Sequence, residues 1–401
     1  MAKTKAEVKE MVPRISWTAF FALVTLTWCF AQQKLISQVH LSWSEDPQTT
    51  MSITWQSGEP LSRPVVQYGE GKNLSQTAIA KRIRYEQETG PLYQVTLRNL
   101  KPDTTYSYRV GDAGKGWSEV RTFRTAPANP PARFVFTAFA DHGVTPAAEQ
   151  NVRRVLSGEK PAFHIIMGDL SYANGNQPVW DSWFEQIEPL ASQVPLMVCP
   201  GNHEDERGIR FATYLARFAL PGKELYYRFD YGGARFILFN SQDFRDAEQL
   251  RWFEQELREA RRDPKVRWVI VAMHHPLYSS TVRRLNDTAR IEVLQPLFDK
   301  YRPDLVLLGH HHNYERTYPL LSMKAHSRHP NRYSRGQGVI YVTSGGGGKS
   351  LYDQTPEQPV FTAKRERCYQ YLRITVSDRS LVVECYRTED NRLLDRFEIV
   401  R

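Results

Sequence analysis

The sequence contains little cysteine, no long apolar run beyond its first 31 residues and no basic stripe interleaved with aromatic side chains. Four cysteines in 401 residues are too few for a disulfide-stapled fold, so a large hydrophobic core has to stabilise the chain. With 41% hydrophobic and 24% charged residues, the composition excludes a disordered, collagen-like or polytopic membrane protein. The net charge of +9 is scattered, which indicates a solvated basic surface or an anionic partner, but not nucleic-acid binding.

The first 31 residues have the pattern of a secretory signal peptide. Four basic residues between Lys3 and Arg14 precede a mostly apolar run over 15–31, which ends in the small residue Ala31. We expect cleavage after Ala31 and a secreted protein, periplasmic or extracellular, with no stable membrane span. Because the run is at the short limit for a spanning helix, a retained anchor is the alternative.

Three cysteines remain after such cleavage, and two of them flank a predicted C-terminal hairpin over about 367–400. Its turn lies near Asp378, which places Cys385 opposite about Leu372 and several residues away from Cys368. We therefore expect no disulfide between these two cysteines.

Short strands with alternating apolar residues, as around Trp55, predict an all-β sandwich over 32–126. The segment 100–110 resembles the strand-entry segment of a fibronectin type III domain. This resemblance implies that the hydroxyl of Tyr106 binds nearby backbone. A Pro-rich stretch over 127–132 follows and is predicted to be an extended linker.

Mostly apolar strands alternate with helical patterns over 133–401, which predicts an α/β domain. The clearest helix covers 246–262, with apolar residues on one face and charges elsewhere. Six strands are predicted, over 133–140, 163–167, 196–199, 235–239, 268–273 and 305–308. In α/β sheets, ligand sites form beyond the carboxyl ends of such strands.

Oxygen and nitrogen donors follow five of these strands. The donors are Asp141, Asp169, Asn202, His274, His310 and His312. A single aspartate or histidine at a strand end is usually a cap or a partly buried side chain. Six donors suited to transition metals, at five strand ends, predict a metal centre.

Five short segments carry these donors: ADHG (140–143), GDLSY (168–172), GNHE (201–204), VAMH (271–274) and GHHH (309–312). In this order they are similar to the five motifs of the purple acid phosphatase family of binuclear metallophosphoesterases. The resemblance covers about 133–400, and the preceding sandwich is similar to that family's amino-terminal domain. It implies a two-domain fold: an all-β fibronectin III-like sandwich, then an α/β metallophosphoesterase β-sandwich flanked by helices.

The resemblance also implies a ligand set for two metals. Asp141, Tyr172 and His312 would bind a ferric ion, Asn202, His274 and His310 would bind iron, zinc or manganese, and Asp169 would bridge both. A phenol titrates near about 10, so only a strongly Lewis-acidic ion keeps Tyr172 ionised at acid pH. Three ligand charges against five metal charges leave a surplus of two, which one hydroxide and part of a phosphate's charge would neutralise.

His203 resembles the family's substrate-binding and leaving-group histidine, which implies a catalytic proton donor. Arg283 and Arg284 stand where plant members of the family place one or two histidines. Arginine suits phosphate oxygens but cannot donate a proton at useful pH, so the acid role falls on His203 alone.

Four neighbouring residues are expected to play structural roles. Glu204 is predicted to orient a ligand histidine or to cap the following helix. His275 and His311 are predicted to point to the opposite side of an extended segment. His142 is not expected to bind metal, because the metal histidine of other metallophosphoesterases corresponds to Gly143.

These observations predict an exported acid phosphatase that acts on a small phosphorylated substrate. It would hydrolyse phosphate monoesters by attack of a metal-bound hydroxide at a binuclear Fe(III)–M(II) centre. One alternative is a phosphodiesterase or nucleotide pyrophosphatase on the same site. The other is a non-catalytic surface-binding protein.

Overall fold

The computed structural model describes residues 34–282 and 284–401, and Lys34–Arg401 forms one compact unit. The predicted signal peptide over 1–31 and Arg283 lie outside the described residues. Among the residues that are described, no helix is long and apolar enough to cross a membrane.

Antiparallel strands form a β-sandwich at the beginning of the described chain. The strands are β1 (Ile36–Ser42), β2 (Met51–Ser57), β3 (Val65–Glu70), β4 (Gln76–Ile79), β5 (Lys81–Ile83), β6 (Leu92–Leu97), β7 (Thr105–Asp112), β8 (Gly116–Trp117) and β9 (Arg121–Arg124). One sheet has the order β1-β2-β6-β5, the other has the order β4-β3-β7-β8, and β9 pairs with β7. The Tyr106 hydroxyl accepts a hydrogen bond from the Lys101 N–H at 2.9 Å, as the fibronectin resemblance implies.

The described residues after this sandwich form five helices and sixteen strands. The helices are α1 (Pro146–Ser157), α2 (Gln177–Ala191), α3 (Ala212–Arg217), α4 (Ala247–Arg262) and α5 (Thr288–Tyr301). The strands are β10 (Phe134–Phe139), β11 (His164–Met167), β12 (Leu196–Cys199), β13 (Tyr227–Tyr231), β14 (Ala234–Phe239), β15 (Trp268–Met273), β16 (Leu305–Leu308), β17 (Tyr314–Thr317), β18 (Leu320–Leu321), β19 (Lys324–Ala325), β20 (Arg332–Ser334), β21 (Ile340–Ser344), β22 (Thr362–Glu366), β23 (Gln370–Val376), β24 (Ser380–Arg387) and β25 (Leu393–Val400).

Two seven-stranded sheets form the centre of this second part. Their orders are β12-β11-β10-β23-β24-β25-β20 and β13-β14-β15-β16-β21-β17-β22. Side chains of both sheets share one core, in which the rings of Phe136 and Phe236 meet edge to face at 5.2 Å. Helix α4 packs Phe253 and Leu257 against Val271 on the other face of the second sheet. The predicted β-sandwich flanked by helices is therefore confirmed.

The six predicted strands of this part correspond to β10, β11, β12, β14, β15 and β16. Within each sheet these three strands are parallel neighbours. The carboxyl ends of parallel strands meet at one edge of a sheet, so the loops that carry the predicted ligands start side by side.

The C-terminal hairpin has the predicted register, because Leu372 on β23 pairs with Cys385 on β24. Cys199, Cys368 and Cys385 are all free thiols. The described part of the chain is thus stabilised by its core and its hydrogen bonds, without a covalent cross-link.

Candidate metal centre

The first group of predicted ligands, Asp141, Tyr172 and His312, lies in direct contact. The Tyr172 hydroxyl donates a hydrogen bond to Asp141 Oδ1 at 3.1 Å and lies 2.9 Å from His312 Nε2. His312 Nε2 is also 3.2 Å from Asp141 Oδ1. The loops after β10, β11 and β16 bring these three side chains together.

The second group of predicted ligands surrounds His274. Its Nε2 lies 3.2 Å from Asp169 Oδ2, 3.3 Å from Asn202 Oδ1 and 3.2 Å from His310 Nδ1. Asp141, Asp169 and His274 offer ligand atoms that all lie within 4.8 Å of one another, so the two groups form one cluster. Which residue binds which metal stays a prediction.

Backbone carbonyls orient two of the histidine rings. His274 Nδ1 lies 2.8 Å from the carbonyl oxygen of Met167, and His312 Nδ1 lies 2.7 Å from that of Ser350. Because Nδ1 of each ring carries the proton, the lone pair of each Nε2 points into the cluster. Such outer contacts fix the tautomer and the ring orientation of metal-binding histidines.

Several residues of the cluster have a left-handed backbone, with positive φ angles. These are Asp141 (58°), Asp169 (52°), Tyr172 (59°) and His310 (66°). Residues other than glycine are uncommon in this region, and such strain is typically concentrated at functional sites. Close packing adds to the constraint, because a Cβ at Gly309 would lie 2.8 Å from the Met167 carbonyl oxygen.

Glu204 holds two of the motif loops together through their backbone. Its carboxylate accepts hydrogen bonds from the N–H groups of Asp169, Leu170 and Gly201, each at 2.8 Å. The prediction that Glu204 orients a ligand histidine or caps a helix is therefore wrong. Burial and the nearby Asp169 raise the pKa of Glu204 to about 8, while the N–H groups of Gly201 and Leu170 oppose that shift.

His203 lies at the mouth of the cluster. Its backbone N–H donates a hydrogen bond to Asp169 Oδ1 at 3.0 Å, and its ring Nε2 is 3.8 Å from Asp169 Oδ2. The centre of its ring is 4.2 Å from that of Tyr172. Nδ1 lies 2.6 Å from the side-chain oxygen of Asn174, a partner that sequence reasoning missed. With Nδ1 protonated towards Asn174, Nε2 faces the cluster.

The charges of the cluster fit a pair of cations. Burial first, then the carboxylates of Asp141 and Asp169, raise the pKa of the Tyr172 hydroxyl far above its ordinary value. Burial alone would also raise the pKa of Asp169, but His274 and His203 together lower it. A phenol in such surroundings loses its proton only where a strongly Lewis-acidic cation replaces it, so these donors suit a binuclear centre.

Two histidines next to the predicted ligands, His142 and His275, differ in their distance from the cluster. Both nitrogens of His142 are engaged, Nε2 by the Ala148 carbonyl at 3.1 Å and Nδ1 by the Trp183 indole N–H at 3.0 Å, as expected of a residue that does not bind metal. The prediction that His275 points away is wrong, because its ring lies 4.4 Å from that of His310. A ring nitrogen of His275 is within 4.8 Å of those of His274 and His310.

Basic residues border the cluster on two sides. Arg284 donates to His310 Nε2 at 2.9 Å, and its guanidinium lies 4.7 Å from the ring centre of Tyr352. Lys349 places Nζ 4.5 Å from the ring centre of Tyr172. Sequence reasoning missed Lys349 and Tyr352. The sequence signal for both residues is the run of glycines that precedes them. These glycines allow the loop to pack closely on the cluster, since a Cβ at Gly345 would lie 2.8 Å from Asp141 Oδ2.

Comparisons with known proteins give matches along most of the chain. Three family descriptions match: "Purple acid Phosphatase, N-terminal domain" over 36–125, "Calcineurin-like phosphoesterase" over 134–314 and "Iron/zinc purple acid phosphatase-like protein C" over 338–396. Purple acid phosphatase 21 of Arabidopsis thaliana is 30% identical over 85% of this chain and 78% of its own length. The probable inactive purple acid phosphatase 1 of that plant is 30% identical, over 87% of this chain and 67% of its own. The solved structure of the purple acid phosphatase PPD1 from yellow lupin seeds superimposes with a TM-score of 0.85 at 25% identity, covering 92% of this chain and 75% of that one.

The fold and the cluster at its strand ends define a metallophosphoesterase, a metal-dependent phosphatase. More narrowly, the chain belongs to the purple acid phosphatase family, whose members use a binuclear metal centre.

Replacing Glu204 tests its role as the clamp between two loops. Glu204→Ala removes the acceptor of three buried N–H groups, so we expect the free energy of unfolding to fall by about 3 kcal/mol or more. Glu204→Gln keeps one acceptor oxygen and should lose less. Denaturant unfolding of the chelator-treated proteins measures both variants, and wild-type stability of Glu204→Ala would contradict this role.

Proposed function

We propose that this phosphatase is exported and hydrolyses phosphate monoesters at acid pH, at a centre of one ferric and one divalent ion. The observation that supports this most directly is the position of the Tyr172 hydroxyl between Asp141 and His312. A phenolate at this point adds the negative charge that favours a trivalent ion. The divalent ion would be iron, zinc or manganese.

Two groups of side chains would hold the ions. Asp141, Tyr172 and His312 would hold the ferric ion, and Asp169 would contribute its carboxylate to both sites. Asn202, His274 and His310 would hold the divalent ion, since two imidazoles and an amide add no charge. The bound ions would polarise the phosphoryl group and supply a nucleophile at low pH.

His203 is the residue of this chain that donates a proton to the departing oxygen. Asn174 orients the His203 ring, and the hydrogen bond from the His203 backbone N–H to Asp169 holds the backbone against the cluster. The ring is partly exposed, so a leaving group can reach it from solvent. Arg284 would bind oxygens of the reacting phosphate. Arg283, outside the described residues, stays a prediction for the same role.

Export rests on the segment over 1–31, with cleavage after Ala31 into a periplasmic or extracellular protein. The boundaries of the sandwich domain (32–126), the linker (127–132) and the catalytic domain (133–401) also stay predictions. Both matter for preparing the protein, because the mature chain would begin at Gln32.

The substrate class is tested with the purified, metal-loaded protein. We expect turnover of p-nitrophenyl phosphate to exceed that of bis(p-nitrophenyl) phosphate, because a monoester leaves more phosphoryl oxygens free for the two ions and Arg284. A strong preference for the diester would replace this proposal with a phosphodiesterase. No hydrolysis of either ester would favour a non-catalytic protein, a possibility raised by the similarity to a probable inactive relative.

The ferric site is tested by colour. Tyrosinate bound to ferric iron absorbs visible light, so the purified protein should be coloured and contain iron by elemental analysis. We expect Tyr172→Phe to lose the visible band while Tyr352→Phe, an adjacent tyrosine outside the ligand set, keeps it. A coloured Tyr172→Phe variant would refute the assignment of this ligand.

The role of His203 is tested by varying the leaving group. His203→Ala should lower kcat by about 100-fold or more for alkyl phosphates, whose alkoxide needs a proton, and by clearly less for p-nitrophenyl phosphate. Metal content should stay at the wild-type level. An equal loss for both substrates would show that His203 supports the site and does not act as the acid.

A further inference from the structure

The ends of two helices and one loop meet around a buried aspartate, Asp304, at the edge of the second sheet that lies opposite the metal cluster. Asp304 directly precedes β16, and the other end of this strand leads to His310 and His312. The four residues of the strand span about 13 Å. The surroundings of Asp304 are therefore separate from the cluster and from the reaction proposed there.

The carboxylate of Asp304 is shared by two guanidinium groups. Arg261, in the last turn of α4, donates to Oδ2 at 3.2 Å and to Oδ1 at 3.1 Å, and Nε of Arg335 also donates to Oδ1 at 3.1 Å. One negative charge thus faces two positive charges. Burial, together with the positive charge of Arg335, lowers the pKa of Arg261, although Asp304 opposes this shift.

Arg302 adds a third guanidinium group, to which the described residues offer no carboxylate. It follows α5, is exposed, and donates only to backbone carbonyls, to that of Asp299 at 3.4 Å and to that of Gly336 at 3.3 Å. The carboxylate of Asp299 is engaged by the N–H and the hydroxyl of Ser322, at 3.1 and 3.2 Å. Because Gly336 follows Arg335 in the chain, the contact with its carbonyl places Arg302 beside the loop that carries Arg335.

Unused donors distinguish Arg302 and Arg335 from Arg261. All three nitrogens of Arg261 are engaged, by Asp304 and by the carbonyls of Tyr301 and Arg302. Arg335 uses only Nε, and Nη2 of Arg302 likewise has no partner among the described residues. Guanidinium groups with free terminal N–H groups bind phosphate oxygens in pairs. Since Asp304 balances Arg261, the other two arginines present two uncompensated positive charges.

Arg335 is ordered by its own surroundings. Its backbone N–H donates to the Val400 carbonyl at 2.7 Å, and its guanidinium group lies 5.8 Å from the ring centre of Trp268. The Trp268 indole N–H donates in turn to the Ser377 carbonyl at 2.7 Å. Only 24% of the Arg335 side chain is exposed. A guanidinium group that is already ordered loses little conformational entropy when it binds an anion.

We propose that Arg302 and Arg335 form a second binding site for a phosphate group, separate from the metal cluster. A phosphate dianion offsets both uncompensated charges and accepts several hydrogen bonds from the free terminal N–H groups. The group belongs either to free orthophosphate or to the phosphomonoester headgroup of a lipid. Binding involves no covalent step, and the site does not depend on the reaction proposed at the metal centre.

Titration of the metal-loaded protein with inorganic phosphate tests this site by calorimetry. We expect the wild type to show a binding event that Arg302→Gln/Arg335→Gln weakens by about 100-fold, because each variant removes a charge-assisted hydrogen bond worth about tenfold. Arg302→Gln alone changes an exposed residue and should weaken the event by about tenfold. The matched control Arg84→Gln, an exposed arginine of the sandwich, should leave it unchanged. Wild-type phosphate binding by the double variant would overturn the site.

Inhibition of p-nitrophenyl phosphate hydrolysis by phosphate reports separately on the metal centre. The inhibition constant and kcat should be the same in the wild type and in both arginine variants, and unchanged kcat also shows that the variants are folded. A parallel rise of the inhibition constant would show that the two arginines act at the metal centre, which would overturn a separate site. If no ester is hydrolysed, the proposed function fails, while calorimetry of the chelator-treated protein still decides whether the arginines bind phosphate.

Vesicles distinguish the two sources of the phosphate group. Sedimentation with phosphatidylcholine vesicles that contain phosphatidic acid, compared with phosphatidylcholine alone, measures binding to the lipid headgroup. Binding that requires Arg302 and Arg335 and that inorganic phosphate displaces would identify the headgroup as a ligand. Calorimetric binding without sedimentation would identify free orthophosphate. Dependence on these two arginines in neither assay would overturn the proposal.

Discussion

The architecture of this protein depends on one electrostatic constraint: carboxylates, a phenol and imidazoles are crowded into a small, buried volume. Asp141 and Asp169 are almost fully buried, and each lies beside a histidine of the cluster. Burial and the two carboxylates raise the pKa of the Tyr172 hydroxyl, which keeps its proton and donates a hydrogen bond to Asp141. The folded chain therefore holds a set of donors that two cations would complete, and the strained backbone around it is stabilised by the rest of the fold.

The two sheets supply the stiffness that this arrangement needs. His274 follows β15 in one sheet. Its ring is oriented by a hydrogen bond to the carbonyl oxygen of Met167, at the end of β11 in the other sheet. The Gly309 N–H donates to the His274 carbonyl at 2.8 Å, which links two loops of the second sheet. A shift of one sheet relative to the other would separate the donors, so the core between the sheets also stabilises the site.

The sequence predicted the parts of the fold that short-range patterns encode. Mostly apolar runs located all six parallel strands, and the donors after five of them predicted that six side chains converge. The seventh predicted ligand, Tyr172, came from the family resemblance. The short strands after Tyr314 have no such pattern, because pairing across the sheet decides their conformation. The role of Glu204 could not be predicted for a related reason: its three N–H partners lie on loops that only the tertiary structure brings together. The position of Lys349 likewise depends on a glycine-rich loop folding back onto the motif around Asp141.

The three free thiols determine how the stability of the described chain responds to a reductant. Cys199 and Cys385 are buried and Cys368 is partly covered, and none of them forms a cross-link. Within the described residues, the native state thus stores none of its stability in a bond that a reductant can break. The conformation of the described residues therefore does not depend on the redox potential of the surrounding solution.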